Sequence, residues 1–193
     1  MKILEKENLD EIVELFKNGS IIAFPTDTVF GLGCLYTNKD AERRIYAAKN
    51  RPLNKKLPIM VSDKSILNEY FEINSIEQKI INKLMPGALT IILKIKNSED
   101  TIAIRIPNDS FIIEMLSKIN SPLYVTSANL SGEESLFKFD DVYNQLDNRI
   151  DAIVRGDANN GISSTIVMIK DNKPLIIRQG PITLNDIERV INE

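Results

Sequence analysis

A chain of 193 residues with 43% apolar and 26% charged residues can bury one sizeable core, and its formal net charge of −3 argues against general binding of polyanions. It contains no histidine and one cysteine, Cys34. Ser-His-Asp hydrolysis, Cys–His nucleophilic catalysis, an internal disulfide and histidine or thiolate zinc sites are therefore excluded, leaving chemistry done by charge, hydroxyls, backbone amides and a borrowed metal ion.

In chain order, Leu9, Ile12, Val13 and Phe16 share one face of a helix over about 8–18, closed by Gly19. Ser20 to Phe24 predicts a short buried strand, ended by Pro25 because proline has no N–H for a ladder. Thr26, Asp27 and Thr28 then place three short side-chain oxygens at the strand end. Gly31 and Gly33 suit a glycine-rich loop that opens a small-molecule site, with Cys34 in it as a small packed side chain. Asn38 or Asp40 caps a helix through about Ala48, with Ala41, Ile45 and Ala48 inward. Leu57 to Val61 reads as a strand, and a further helix starts at Ser62 or Asp63. Ser75 and Gln78 have the spacing of a capping box for the helix that Pro86-Gly87 ends. Strands Leu89–Ile95 and Thr101–Ile106 flank the polar turn KNSED. A helix over about Asp109–Lys118 follows, then a strand at Leu123–Thr126 opening onto SANLSG. Segment 133–160 is acidic and loop-rich, with one helix near Asp140–Leu146; strands near 152–154, 164–169 and 174–178 and a terminal helix capped by Thr183 complete the chain.

Strands and helices alternate irregularly, with hairpin-like pairs among them. The expectation is an α/β (α+β) fold: a single domain over 1–193, with a mixed sheet and helices on its faces. No apolar run is long enough to cross a bilayer, and the start MKILEKENLDEI is too acidic for a secretory signal, so a cytoplasmic protein without membrane contact is expected.

Three groups of residues invite chemistry. From Arg43 to Lys56 there are six basic residues and no acidic one. Within that stretch Lys49, Arg51 and Lys55 read either as a solvated basic helix end or as an anion site in which arginine grips phosphate and lysine supplies a point charge. Ser127, Asn129, Ser131 and Gly132 follow a buried strand; such a turn either satisfies its own backbone or presents donors to phosphate and ribose. Arg105 sits inside the apolar strand IAIRIP and needs a carboxylate, supplied by an internal aspartate or by a ligand. There is no GxxxxGK[ST] or GxGxxG sequence, so the site is neither a P-loop nor a Rossmann site.

The segments PTDTVFGLG (25–33), KNRP (49–52), PGALTIIL (86–93), IAIRIP (102–107), TSANLSG (126–132), SSTIV (163–167) and IIRQG (176–180) occur in one order along nearly the whole chain. Together they resemble the YrdC-type threonylcarbamoyl-adenylate synthases, in the short, single-domain form. The resemblance implies a strongly twisted mixed sheet around a basic concave cavity. It implies catalysis by Lys49 and Arg51, and binding of ATP by Arg51, Lys55, Thr101, Ser127, Asn129, Ser135 and Arg178. L-Threonine falls to Thr28, Met60, Arg105, Val125 and Ser164, although many relatives carry a polar residue where Met60 stands. The implied reaction joins bicarbonate to the threonine amine and transfers the carbamate to the α-phosphorus of ATP. Mg²⁺ would be brought with the nucleotide, with no metal site of the protein's own. The product, threonylcarbamoyl-AMP, would feed a transferase that modifies the anticodon-adjacent adenosine of tRNA. The alternatives are an RNA-binding module of the same fold, for which 6% aromatics and no tryptophan supply a poor stacking platform, and a carbamoyl-adenylate domain of hydrogenase-maturation type.

Overall fold

The computed structural model describes residues 1–159 and 161–193. Its strands are β1 (Lys2–Leu4), β2 (Ile22–Phe24), β3 (Gly31–Leu35), β4 (Ile59–Met60), β5 (Phe71–Glu72), β6 (Leu89–Ile95), β7 (Thr101–Arg105), β8 (Leu123–Ser127), β9 (Ala152–Val154), β10 (Thr165–Lys170) and β11 (Lys173–Arg178). They form one twisted sheet in the order β1-β9-β2-β3-β8-β4-β7-β6-β10-β11, with β5 added on β6. Parallel pairs (β2 with β9, β4 with β7, β6 with β10) stand beside antiparallel ones (β2 with β3, β3 with β8, β6 with β7), so the sheet is mixed, as expected. The helices are α1 (Leu9–Lys17), α2 (Lys39–Lys49), α3 (Leu67–Tyr70), α4 (Ser75–Leu84), α5 (Ser110–Ile119), α6 (Phe139–Leu146) and α7 (Leu184–Asn192). None of the described helices is long and apolar enough to cross a membrane.

Alternation along the strands sorts the apolar residues into two cores. Ile22 and Phe24 of β2, Leu123 and Val125 of β8, and Ala152 and Val154 of β9 pack under α1 and α5 through Ile12, Val13, Phe16, Ile112 and Met115. The intervening residues, Ala23, Tyr124 and Ile153, point the other way and join Ala41 and Ile45 of α2, Ile80 and Ile81 of α4, Val142 of α6 and Ile187 of α7. Register extends the first face across the rest of the sheet. Met60 pairs with both Leu123 and Arg105, Ala103 with Ile92, and Thr90 with Ile166. There the face lines a concavity instead of packing under a helix, and the concavity is the site.

Several expectations change. The stretch from Gly31 to Cys34 is not a loop but the core of β3, paired on both sides. Its glycines are required by close packing: a Cβ on Gly31 would lie 2.9 Å from Val125 Cγ1, and one on Gly33 would lie 3.0 Å from the Tyr124 carbonyl. The capping box sits one residue earlier than expected. Asn74 Oδ1 accepts from the Ile76 and Glu77 amides, and the Glu77 carboxylate accepts from the Asn74 amide. NSIEQ offers two overlapping boxes, and the one built on Asn74 and Glu77 forms. The strand expected over Leu57–Val61 shrinks to Ile59–Met60, and the helix expected from Ser62 or Asp63 begins at Leu67. The short strands β1 and β5 had no signal in the sequence. The caps at Asn38, Asp109 and Thr183 form through side-chain oxygens accepting amides three residues on.

Candidate active site

Two cavities adjoin on the concave face, an inner one of about 470 Å³ and an outer one of about 540 Å³. Thr28, Met60, Thr101, Arg105, Val125 and Ser164 line the inner cavity. Lys49, Lys55, Asn129 and Ser135 line the outer one. Arg51, Ser127, Ser163 and Arg178 line both. Every residue to which the family resemblance assigns ATP, L-threonine or catalysis thus reaches this concavity. The five assigned to an amino acid fall in the inner chamber, and of those assigned to a nucleotide only Thr101 is confined there.

Arg105 ends β7, and its guanidinium is almost fully buried. Its carboxylate comes from inside the protein: Nη2 donates to Asp27 Oδ1 at 2.7 Å, Nη1 to Thr28 Oγ1 at 2.7 Å and Nε to the Gly87 carbonyl at 3.2 Å. Asp27 Oδ2 also accepts the Asn108 amide at 3.1 Å, which fixes the carboxylate between two segments. A threonine carboxylate is therefore not needed to offset the buried charge. Three of the five guanidinium N–H groups are engaged, which leaves two without a protein partner among the described residues. Thr28 is itself oriented by Thr26, whose Oγ1 lies 3.1 Å from its own and donates to the Val29 carbonyl.

Lys49 is not a solvated helix end. It is 1% exposed, and its ammonium donates to the carbonyls of Ser127 and Asn129, while the Ser131 amide donates to the Lys49 carbonyl at 2.9 Å. The last turn of α2 and the 127–131 turn are thus bound to each other. Burial, reinforced by the Arg51 charge, pulls the Lys49 ammonium down to about 7. Arg51 donates to the Lys55 and Lys56 carbonyls, and burial lowers its affinity for a proton. Arg178 is lowered too, by burial and then by the charge of Arg105. Of the two adjacent lysines, Lys55 lines the outer cavity, whereas Lys56 lies at the wall of the inner one and is paired with Asp100 at 2.8 Å. Cations crowded and partly desolvated in this way attract an anion.

The remaining polar wall is a set of hydroxyls and one orphan. Ser164 Oγ lies 2.8 Å from Thr90 Oγ1, and its carbonyl receives two N–H groups of Arg178. Ser135 and Ser163 share a hydrogen bond of 2.9 Å. Asn129 uses its Nδ2 on the Leu130 and Glu133 carbonyls, and its Oδ1 is buried with no partner among the described residues. Sequence reasoning missed Thr90 and Ser163 as lining residues, and Asp27 as the partner of Arg105. Thr90 carries a faint signal, a polar residue inside the apolar run LTIIL. Cys34 is fully buried and pushed up to about 12 by that burial, which makes it an inert packed side chain.

The model of the Sua5/YciO/YrdC family, described as "Telomere recombination", matches residues 14–180. The chain belongs to the Sua5/YciO/YrdC family. A Methanocaldococcus jannaschii member is 37% identical over 197 residues, covering 96% of this chain and 94% of its own. A threonylcarbamoyl-AMP synthase of Bacillus subtilis is 36% identical over 188 residues, and there this chain spans 54% of the relative's length. The crystal structure of Pyrococcus abyssi Sua5 complexed with L-threonine superposes with a TM-score of 0.92 at 27% identity, covering 100% of this chain and 62% of that one. The Sua5/YciO/YrdC fold is thereby the fold of this chain.

Proposed function

We infer that this chain is an L-threonylcarbamoyladenylate synthase, a nucleotidyltransferase that makes threonylcarbamoyl-AMP and pyrophosphate from ATP, L-threonine and bicarbonate. The observation that carries the reading is the pairing of two chambers. Residues assigned to an amino acid lie in the inner one, cations and hydroxyls suited to a triphosphate line the outer one, and Arg51, Ser127, Ser163 and Arg178 mark where they meet. The synthase name of the Bacillus relative and the L-threonine complex of the Pyrococcus structure support it.

In this reading threonine sits with its carboxylate on the spare N–H groups of Arg105, beside Thr28 and Ser164, with Met60 and Val125 against its side chain. Its amine takes up bicarbonate with loss of water, giving N-carboxy-threonine. A carbamate oxygen then attacks the α-phosphorus, forming one P–O bond as the P–O bond to pyrophosphate breaks and its electron pair leaves with pyrophosphate. Arg51, Lys55 and Arg178 grip the phosphates, and their charge is worth most where water is excluded. Lys49 holds the 127–131 turn, and Ser135 and Asn129 lie in the wall of the nucleotide chamber. Mg²⁺ carried by the triphosphate would offset phosphate charge. No three carboxylate or thiolate side chains cluster among the described residues, so the phosphates would be its main ligands, with Glu133 and Glu134 as the carboxylates lining the outer chamber. The product would serve a tRNA-modifying transferase. Pyrophosphate release measured with each substrate omitted in turn tests the reading: release requires ATP, bicarbonate and L-threonine together, and equal release without threonine refutes it.

A further inference from the structure

We propose that Ser163 is a catalytic residue: its hydroxyl donates a hydrogen bond to a non-bridging oxygen of the α-phosphate as pyrophosphate leaves. The proposal rests on the synthase reading above. The carbamate arrives from the inner chamber and the α-phosphorus from the outer one, so the reacting atoms meet where the chambers meet. Four side chains line both. Arg51 and Arg178 supply charge, and Ser127 lies on the turn that Lys49 clamps. Ser163 is the fourth, a neutral donor at the junction.

The residue that follows it is held by two partners, and its own carbonyl is packed against a third segment. The Ser164 carbonyl accepts from Arg178 Nη2 at 2.7 Å and Nε at 3.0 Å, and the Ser164 hydroxyl is bonded to Thr90. Gly180 lies flat against the same segment: a Cβ there would fall 2.3 Å from the Ser163 carbonyl oxygen and 2.4 Å from the Thr165 nitrogen. With the following residue held, the Ser163 hydroxyl turns chiefly about one side-chain torsion. Among the described residues its hydrogen-bond partner is Ser135 Oγ at 2.9 Å.

Two hydroxyls that share one hydrogen bond have one proton left over. Ser135 lines the outer chamber alone, whereas Ser163 reaches the junction. An anion at the junction selects the direction in which Ser135 donates to Ser163 and Ser163 donates to the anion, and the chain polarises the terminal donor. A hydroxyl in this place stabilises charge that builds on the phosphoryl oxygens without adding a cation that would retain pyrophosphate. Ser163 keeps its proton throughout; the bonds made and broken are the two P–O bonds already described.

The test compares Ser163→Ala and Ser163→Thr with the wild type, following pyrophosphate release while ATP and threonine are varied separately, with ATP binding and thermal unfolding measured in parallel. Loss of one preorganised donor predicts that Ser163→Ala lowers kcat by about 10²-fold, leaves both KM values within about threefold, and that Ser163→Thr, which keeps the hydroxyl, recovers most of the rate. Unchanged kcat, or a raised KM for ATP with kcat intact, overturns the proposal and makes Ser163 a spectator or a ground-state contact. Should Ser163→Ala fail to bind ATP or to fold, Ser163→Cys, a poorer donor of similar size, is judged by the same kcat criterion. A wild-type protein that releases no pyrophosphate with all three substrates removes the synthase reading itself, and this proposal with it.

Discussion

Arg105→Lys keeps a positive charge at the end of β7 and removes the planar fork. The guanidinium in the structure uses three N–H groups on Asp27, Thr28 and Gly87, which leaves two for a ligand carboxylate. An ammonium has three donors. Once it serves Asp27 and Thr28, one remains, so a bidentate contact with threonine becomes a single one. A charge-assisted hydrogen bond contributes about 1.5–3 kcal/mol, and losing one raises the KM for threonine by about 10- to 100-fold. The Gly87 carbonyl also loses its donor, at about 1 kcal/mol of stability. Arg105→Ala is the poorer test, since stranding Asp27 as a buried unpaired carboxylate costs about 3–5 kcal/mol and confuses folding with binding. The assay is the initial rate of pyrophosphate release with threonine varied at saturating ATP and bicarbonate, beside calorimetric ATP affinity without threonine and thermal unfolding. A weakened ATP affinity with threonine dependence intact would show Arg105 to be a phosphate ligand. A lower Tm with both kinetic constants unchanged would show that the ion pair with Asp27 is its whole role.

Three further outcomes follow from the same geometry. Arg51→Ala raises the KM for ATP by about tenfold or more with the fold intact, because it deletes a charge-assisted contact from the phosphate chamber; unchanged ATP kinetics would remove Arg51 from the nucleotide site. For Lys49, burial lowers the folded ammonium to about 7 from the ordinary lysine value of 10.5, so between those pH values the unfolded chain binds more protons and stability rises with pH. Lys49→Met flattens that rise in denaturant titrations run from pH 6 to about 10, and a slope equal to that of the wild type refutes the assignment. Gly31→Ala places a Cβ 2.9 Å from Val125 Cγ1 and 3.4 Å from Thr26 Cγ2, which predicts about 1–3 kcal/mol of destabilisation and a higher KM for threonine; a variant with wild-type Tm and KM would show that the inner wall yields freely.

The elements whose residues carry their own signal were legible in the chain. The face of Leu9, Ile12, Val13 and Phe16, the Thr183 cap, and the run Leu89–Ile95 are each set by neighbours close in sequence, and the structure places them where periodicity and capping do. Gly31 to Cys34 shows the limit of that reading. Two glycines in four residues look like a loop until Val125, Phe24 and Tyr124 are brought beside them, when the missing Cβ atoms become the condition for a central strand. The residue types that the site needs, an arginine in an apolar strand and a basic stretch ending a helix, were also visible, because a charge in an apolar run demands a partner wherever the chain goes. The identity of that partner was not. Asp27 lies 78 residues from Arg105, and the carbonyls of Ser127 and Asn129 lie 78 and 80 residues from Lys49. Only the sheet order, which sets β8 between β3 and β4 and carries β7 next to β4, brings them within a hydrogen bond. The sequence thus determined which groups must be satisfied, through local pattern and the cost of burying charge; the tertiary structure decided by whom, because long-range strand pairing is chosen by the whole sheet.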